Sequence, residues 1–180
     1  MRCEAITFSG RKGASCEAVR AMRIGVLSDT HDHLTMLDAA LAIFRRRQVE
    51  MVLHAGDVVA PFAAKRMLTW EGPLKIVFGN NDGERKGLKV LLPQIQDGPV
   101  FVEAGGRKIL LHHSYDWCVP KDVAAADVIV TGHTHEVVNE TKDRKLFLNA
   151  GECCGWVTGR GTIAVLDTEG MSAEIIEVKA

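Results

Sequence analysis

No Cys-x-x-Cys pair occurs in this 180-residue chain, although it holds five cysteines, Cys3, Cys16, Cys118, Cys153 and Cys154. That spacing disfavours a cysteine-based zinc site. An odd count without regular intervals reads as reduced thiols in a cytoplasmic setting. No apolar run approaches the roughly 20 residues of a bilayer-spanning helix, so a membrane partner is excluded. Charge of either sign is not in excess: 22 Lys and Arg face 23 Asp and Glu, for a net charge of -1. Bulk electrostatics therefore give no pull toward nucleic acid or anionic lipid. The single basic run, Arg45–Arg47, falls where the first long helical pattern ends and complements the helix dipole there; a phosphate-tracking patch is the minor alternative. Internal repeats and low-complexity linkers are also missing.

What is present is ordinary for a globular chain: 47% hydrophobic and 25% charged residues, enough length for one domain with a sizeable core. Residues 1–21 look unlike the rest. They lack the apolar stretch of a signal peptide, and their two glutamates weaken a transit-peptide reading. They are expected to form a disordered extension, with a genuine functional tail as the alternative, and residues 22–180 a single domain.

From Met22 onward, strand and helix patterns alternate. "RIGVLS" (Arg23–Ser28), "MVLHAGD" (Met51–Asp57) and "LKIVFGN" (Leu74–Asn80) read as buried strands. Between them, Leu34–Arg47 has apolar residues at helical spacing, and Pro61–Trp70 begins with proline at a favourable first position. A short helical segment is expected near Gly87–Leu92. After Pro99, paired strands dominate, beginning with a hairpin across Gly105–Gly106. A βαβαβ half extended by such strands implies an α/β fold with sheets packed together under flanking helices.

All seven histidines (His31, His33, His54, His112, His113, His133 and His135) lie at or just past an expected strand end, as do Asp29, Asp57, Asn80 and Asp82. In α/β folds such ends converge on a ligand-binding crevice. Each cluster alone is a weak signal; a lone strand-end histidine is more often a hydrogen-bonded loop residue. Five clusters in order, "SDTH", "HAGD", "GNND", "HH" and "GHTH", are hard to assign to chance.

This ordered set resembles the calcineurin-like metallophosphoesterases, whose pattern is Asp-x-His, Gly-Asp, Gly-Asn-His-Asp, His and Gly-His-x-His. The resemblance covers Arg23 to about Ile176, and the compact size points to the small bacterial and archaeal phosphodiesterase branch. It implies a four-layer α/β/β/α sandwich of two mixed sheets. It also implies a hydrolase that cleaves phosphodiesters through a binuclear metal centre and a metal-bridging hydroxide. Asp29, His31 and His135 would hold one ion, Asn80, His133 and a histidine of "KILLHH" the other, and Asp57 would bridge them. The family pattern favours His113 for that histidine, with His112 as the competitor; strand alternation lets only one of the two face the same metal. His133 and His135, one residue apart, would face the same side if the backbone were extended.

Two divalent cations, two carboxylates and a hydroxide leave one formal positive charge, which attracts a phosphate anion. Oxygen and nitrogen ligands without thiolate suit Mn2+ or Ni2+, with Zn2+ and Fe2+ also compatible. Asn81 and Asp82 are the candidate catalytic pair. Asn81 stands where many relatives have a histidine that protonates the leaving oxygen. A carboxamide cannot pass on that proton, so turnover of poor leaving groups is expected to be slow; His112, His33 or Tyr115 are candidate substitutes. Asp82 is expected to orient Asn81 or a ligand imidazole. Ala150 and Glu152 depart from the family's usual Pro and Ser and carry no assigned role. The implied partner is a small phosphodiester, with nucleic acid disfavoured and a homo-oligomer left open. The alternative is a metal-binding scaffold or protein-interaction module on the same fold.

Overall fold

The computed structural model of the chain describes residues 20–179, so the expectation of a disordered extension lies almost wholly outside the described residues. Ten strands form two five-stranded sheets. The first has the order β10-β9-β1-β2-β3, with β1 Arg23–Leu27, β2 Met51–His54, β3 Leu74–Ile76, β9 Gly161–Asp167 and β10 Ser172–Val178. The second has the order β4-β5-β6-β8-β7, with β4 Val100–Ala104, β5 Arg107–Leu111, β6 Val128–Thr131, β7 Val137–Lys142 and β8 Lys145–Ala150. Both are mixed: β1, β2 and β3 run parallel, as do β5, β6 and β8, while the flanking pairs are antiparallel.

Side-chain alternation builds the layers. Ile24 and Val26 of β1 meet Ile109, Leu111, Val128 and Val130 of the opposite sheet in one core. Leu27, Val52 and Ile76 look the other way into a second core. Helices α1 Leu34–Arg46, α2 Pro61–Met67 and α3 Arg85–Leu91 cover that face. A smaller cluster around Leu110 and Ile129 lies under α4 Pro120–Ala125. The result is two mixed sheets flanked by helices.

Helix α1 buries Met36, Leu37, Ala40, Leu41 and Phe44, the larger of them contributing roughly 1.5–3 kcal/mol each. Gly25 permits this packing, because a β-carbon there would lie 2.9 Å from the Phe44 ring. Strands β2 and β3 end earlier than the apolar runs suggest, at His54 and Ile76. The following residues leave the sheet in turns, with Gly56 at φ 100° and Asp57 at φ 62°. Helix α4 and the 3-10 helix Tyr115–Trp117 escape periodicity analysis because each spans too few residues to show a repeat. No helix among the described residues is long and apolar enough to cross a membrane.

Candidate metal centre

Six parallel strand ends, three from each sheet, converge on one hollow. Asp29 and His31 follow β1, Asp57 follows β2 and Asn80 lies beyond β3. From the other sheet, His113 follows β5, His133 and His135 follow β6, and Glu152 follows β8. Backbone hydrogen bonds lace the loops together. Asp29 N–H donates to the Gly56 carbonyl (3.0 Å), and Thr30 and His31 N–H both donate to the Asp57 carbonyl (3.0 and 3.1 Å). Gly132 N–H donates to the His113 carbonyl (2.9 Å), and Cys153 N–H reaches across the sheets to the Ser28 carbonyl (3.0 Å).

These turns are tight. Asp29, His31, Asp57, His133 and His135 all have left-handed backbone, with φ of 52°, 39°, 62°, 72° and 62°. Each such non-glycine residue costs on the order of 1–3 kcal/mol and persists only where its surroundings over-determine it. The expectation that His133 and His135 share a side because their backbone is extended is therefore corrected. Left-handed turns at both residues send the rings to different neighbours. His133 Nδ1 lies 2.8 Å from Asn80 Oδ1, while His135 Nε2 lies 3.4 Å from His31 Nε2 and 3.5 Å from Asp29 Oδ1.

The donors form two linked groups. Asp29, His31 and His135 make one; Asp29, Asp57 and His113 make another, in each case with all donor atoms within 4.8 Å of one another. Asp57 Oδ2 sits between them, 3.6 Å from His31 Nε2 and 3.5 Å from His113 Nε2. Asn80 Oδ1 lies 2.8 Å from His113 Nε2, completing a continuous arc from His135 to His133. Asp29, Asp57 and His113 are buried at the floor, whereas Asn80 and His133 are exposed at the mouth. Glycines admit the carboxylates: a β-carbon on Gly79 would lie 2.0 Å from Asp57 Oδ1, and one on Gly132 2.6 Å from Asp29 Oδ2.

Proton bookkeeping shows that this arrangement fits cations. The Ala55 carbonyl, 2.7 Å from His113 Nδ1, can only accept, so Nδ1 carries the proton. With that single proton placed, Nε2 presents a lone pair to the Asn80 oxygen. Two acceptors then face one another, an arrangement that a shared cation satisfies. His135 repeats the pattern, donating from Nδ1 to Glu152 Oε2 (3.0 Å) and turning its Nε2 inward. Asp29 Oδ1, the atom it faces, is buried and has no hydrogen-bond partner among the described residues, a costly state for a carboxylate oxygen. Burial is the chief reason the Asp29 carboxyl is held above its usual range; the Ser28 hydroxyl and neighbouring imidazoles oppose it. Two ligands on one ion at about 2.1 Å sit about 3.0–3.4 Å apart, close to the spacings of 3.4–3.6 Å found here.

The remaining candidates fall outside this ring of donors. His112 Nδ1 accepts from His113 N–H (2.9 Å), so the adjacent imidazoles are divided as alternation suggests. His33 Nδ1 accepts from Met36 N–H at the start of α1 (3.4 Å). His54 is fully buried and accepts from Gly56 N–H at Nδ1 (3.1 Å), so Nε2 donates to Thr30 Oγ1 (3.2 Å). Burial pushes its pKa down to about 3.

Asn81 clasps Asp57 with both its backbone N–H (2.8 Å to Oδ1) and its side-chain Nδ2 (2.7 Å to Oδ2). Asp82 does not orient Asn81 or an imidazole. All its hydrogen bonds among the described residues go to backbone amides, those of Gly79 (2.7 Å), Val59 (2.7 Å) and Asp57 (3.1 Å). Its carboxylate ties the turns that carry Asp57 and Asn80. Arg160 pairs with Glu177.

Sequence reasoning missed Glu152. It is wholly buried and accepts from His135 Nδ1, from Cys154 Sγ (3.1 Å), from Val157 N–H, and from both the N–H and the hydroxyl of Thr158. Burial pushes its pKa up, but the hydrogen bonds from Thr158, Cys154 and Val157 outweigh that and bring it down to about 2. A carboxylate that holds a ring's outer N–H fixes its tautomer and orientation. The only sequence signal was negative: a glutamate where relatives have serine. Cys153 and Cys154 are poor nucleophiles, burial raising both thiols, Cys154 to about 12.

The chain is similar to known proteins along most of its length. Residues 22–171 match the calcineurin-like phosphoesterase superfamily domain. Phosphodiesterase MJ0936 of Methanocaldococcus jannaschii is 41% identical over 156 residues, 82% of this chain and 94% of that protein. A solved structure described as a novel archaeal phosphodiesterase superposes with a TM-score of 0.78 at 38% identity, covering 87% of this chain and all of the other. Wild-type Vps29 of Entamoeba histolytica, complexed with Zn2+, has a TM-score of 0.56 at 19% identity, covering 87% and 98%; that likeness concerns the fold alone.

Proposed function

This chain belongs to the calcineurin-like phosphoesterase superfamily, and from that premise we propose that it is a metal-dependent phosphodiesterase acting on small diesters. It is a hydrolase of phosphoester bonds. Asp29, His31 and His135 would hold one divalent cation, Asn80, His113 and His133 the second, and Asp57 would bridge them. The observation that carries this reading is the set of inward-facing acceptors, above all the partnerless Asp29 Oδ1 and the facing pair His113 Nε2 and Asn80 Oδ1. When bound, such cations would supply Lewis acidity and would bring the pKa of water at the site down toward about 7, so that no protein base is needed to make it a nucleophile. The mixed oxygen and nitrogen donors suit Mn2+ or Ni2+ as the favoured ions, with Zn2+ and Fe2+ also compatible.

The chain's own residues do the rest. Outer hydrogen bonds to Ala55 and Glu152 keep His113 and His135 aimed inward. Asp82 holds the loops, and Asn81 steadies Asp57 through both of its donors. In the reaction, the water oxygen bonds to phosphorus, the ester P–O bond breaks, and the departing oxygen must collect a proton. Asn81 has no acidic proton to give, so water supplies it, and activated leaving groups turn over best.

Stripping the protein of metal, adding back Mn2+, Ni2+, Zn2+ or Mg2+, and measuring hydrolysis of an activated aryl diester tests the reading. Activity should return with metal and be abolished by Asp57→Asn or His135→Ala. Equal activity in both variants would reject this centre, and no activity with any of the metals would favour a scaffold.

A further inference from the structure

The chain has three tryptophans. Trp70 packs edge-on against Phe44 at the core. The other two stand at the donor cluster, Trp117 47% and Trp156 64% exposed. They occupy different halves of it. The Trp117 ring lies 5.5 Å from His133 and 5.7 Å from His113, centroid to centroid, beside the group that contains Asn80. Trp156 stacks at 4.8 Å on His33, and its indole N–H donates to the His31 carbonyl (3.4 Å), beside the group that contains Asp29.

Single exposed hydrophobic residues need no explanation. Two indoles on separate segments do, one packed on His113 and His133 and the other on His33 and the His31 carbonyl, each with much of its surface left to solvent. Neither closes the core, and each is anchored rather than loose. Trp117 is packed by three rings, His112 included. Trp156 sits in the turn whose amides are gripped by Glu152.

We propose that Trp117 and Trp156 are aromatic platforms for the two ester arms of the substrate, so that the enzyme selects small phosphodiesters with a flat aromatic group on each arm, of the dinucleotide type. The inference rests on the phosphodiesterase reading above and adds the substrate class. A phosphate held by the donor arc would have Trp117 toward its His113 and His133 end and Trp156 toward its His31 end, and a diester has two arms. Every nucleobase offers a face for stacking, and one base–aromatic stack is worth roughly a 5- to 150-fold change in affinity. The near-neutral net charge opposes a long polynucleotide, whose binding draws on many cationic contacts.

Calorimetric titration of the manganese-loaded protein with the phosphorothioate of adenylyl-adenosine, a slowly cleaved diester with a base on each arm, tests this against inorganic phosphate. The dinucleotide should bind at least tenfold more tightly than phosphate. Trp117→Ala and Trp156→Ala should each weaken it by roughly 5- to 150-fold while phosphate binding stays within about twofold, and the Phe variants should recover most of the loss. Equal affinity for the two probes in the unmodified protein would overturn the inference and leave the phosphodiesterase reading intact. So would alanine variants that lose both probes equally, because the indoles would then only prop the histidines. Failure of either probe to bind, together with absence of metal-dependent hydrolysis, would overturn that reading and the inference with it.

Discussion

Glutamine at position 152 should cost the protein its grip on metal more than its fold. Glu152 Oε2 accepts from His135 Nδ1 (3.0 Å), and Oε1 accepts from Thr158 Oγ1 (2.7 Å) and Val157 N–H (3.0 Å). A carboxamide keeps one oxygen. If that oxygen takes the Oε1 place, an NH2 group confronts the His135 N–H, and the ring is driven to the other tautomer with a proton aimed at Asp29. If it takes the Oε2 place, the NH2 group confronts the amides of the Val157–Thr158 turn. Either arrangement forfeits a charge-assisted hydrogen bond, worth about 1.5–3 kcal/mol. That matches the roughly 10- to 100-fold loss in metal affinity typical when a ligand histidine loses its outer partner. Competition with a fluorescent chelator gives the Mn2+ affinity directly, and a urea titration of the metal-free protein monitors the fold. Glu152→Gln should weaken Mn2+ within that range while the metal-free protein still folds, its urea midpoint lowered by the forfeited hydrogen bond, and Glu152→Ser should weaken Mn2+ at least as much. Undiminished Mn2+ affinity in a folded Glu152→Gln protein would refute the reasoning.

Two other outcomes follow from neighbouring contacts. Asn81→His should raise kcat for diesters with poor leaving groups, but by less than the roughly 10²–10⁴-fold of general acid catalysis, because Asp82 is committed to three amides and cannot brace the new ring; an unchanged or lower rate would show that the missing acid does not limit turnover. His54, with a folded pKa of about 3 against 6.5 unfolded, binds fewer protons folded than unfolded between those values. Its contribution to stability is therefore complete above pH 6.5 and declines as pH falls toward 3. Between pH 6.5 and 4.5 the metal-free protein should lose about 2–3 kcal/mol through this group alone. In urea titrations His54→Asn should flatten the pH dependence by that amount, and parallel profiles for the two proteins would discount the mechanism.

Much of this molecule was legible in linear order. Apolar runs marked the strands of both sheets, because a buried strand needs several consecutive apolar residues. The helix α1 showed its spacing because thirteen residues cover more than three turns. Donor types were equally plain: Asp29, Asp57, Asn80 and the histidines follow strands, and parallel strand ends share one edge of a sheet. Alternation separated His113 from His112 for the same reason.

Backbone conformation and contacts across the sheets were another matter. That His133 and His135 diverge depends on left-handed turns that neither residue favours and that loops from elsewhere in the chain enforce. That Asp82 binds amides rather than Asn81, and that Glu152 holds His135, depends on which loops meet. A sequence records what each side chain can donate or accept, since that is a property of the residue. It does not record which donor meets which acceptor. That choice is made when two sheets close face to face and bring Glu152, after β8, against His135, after β6, at a separation only the packed structure sets.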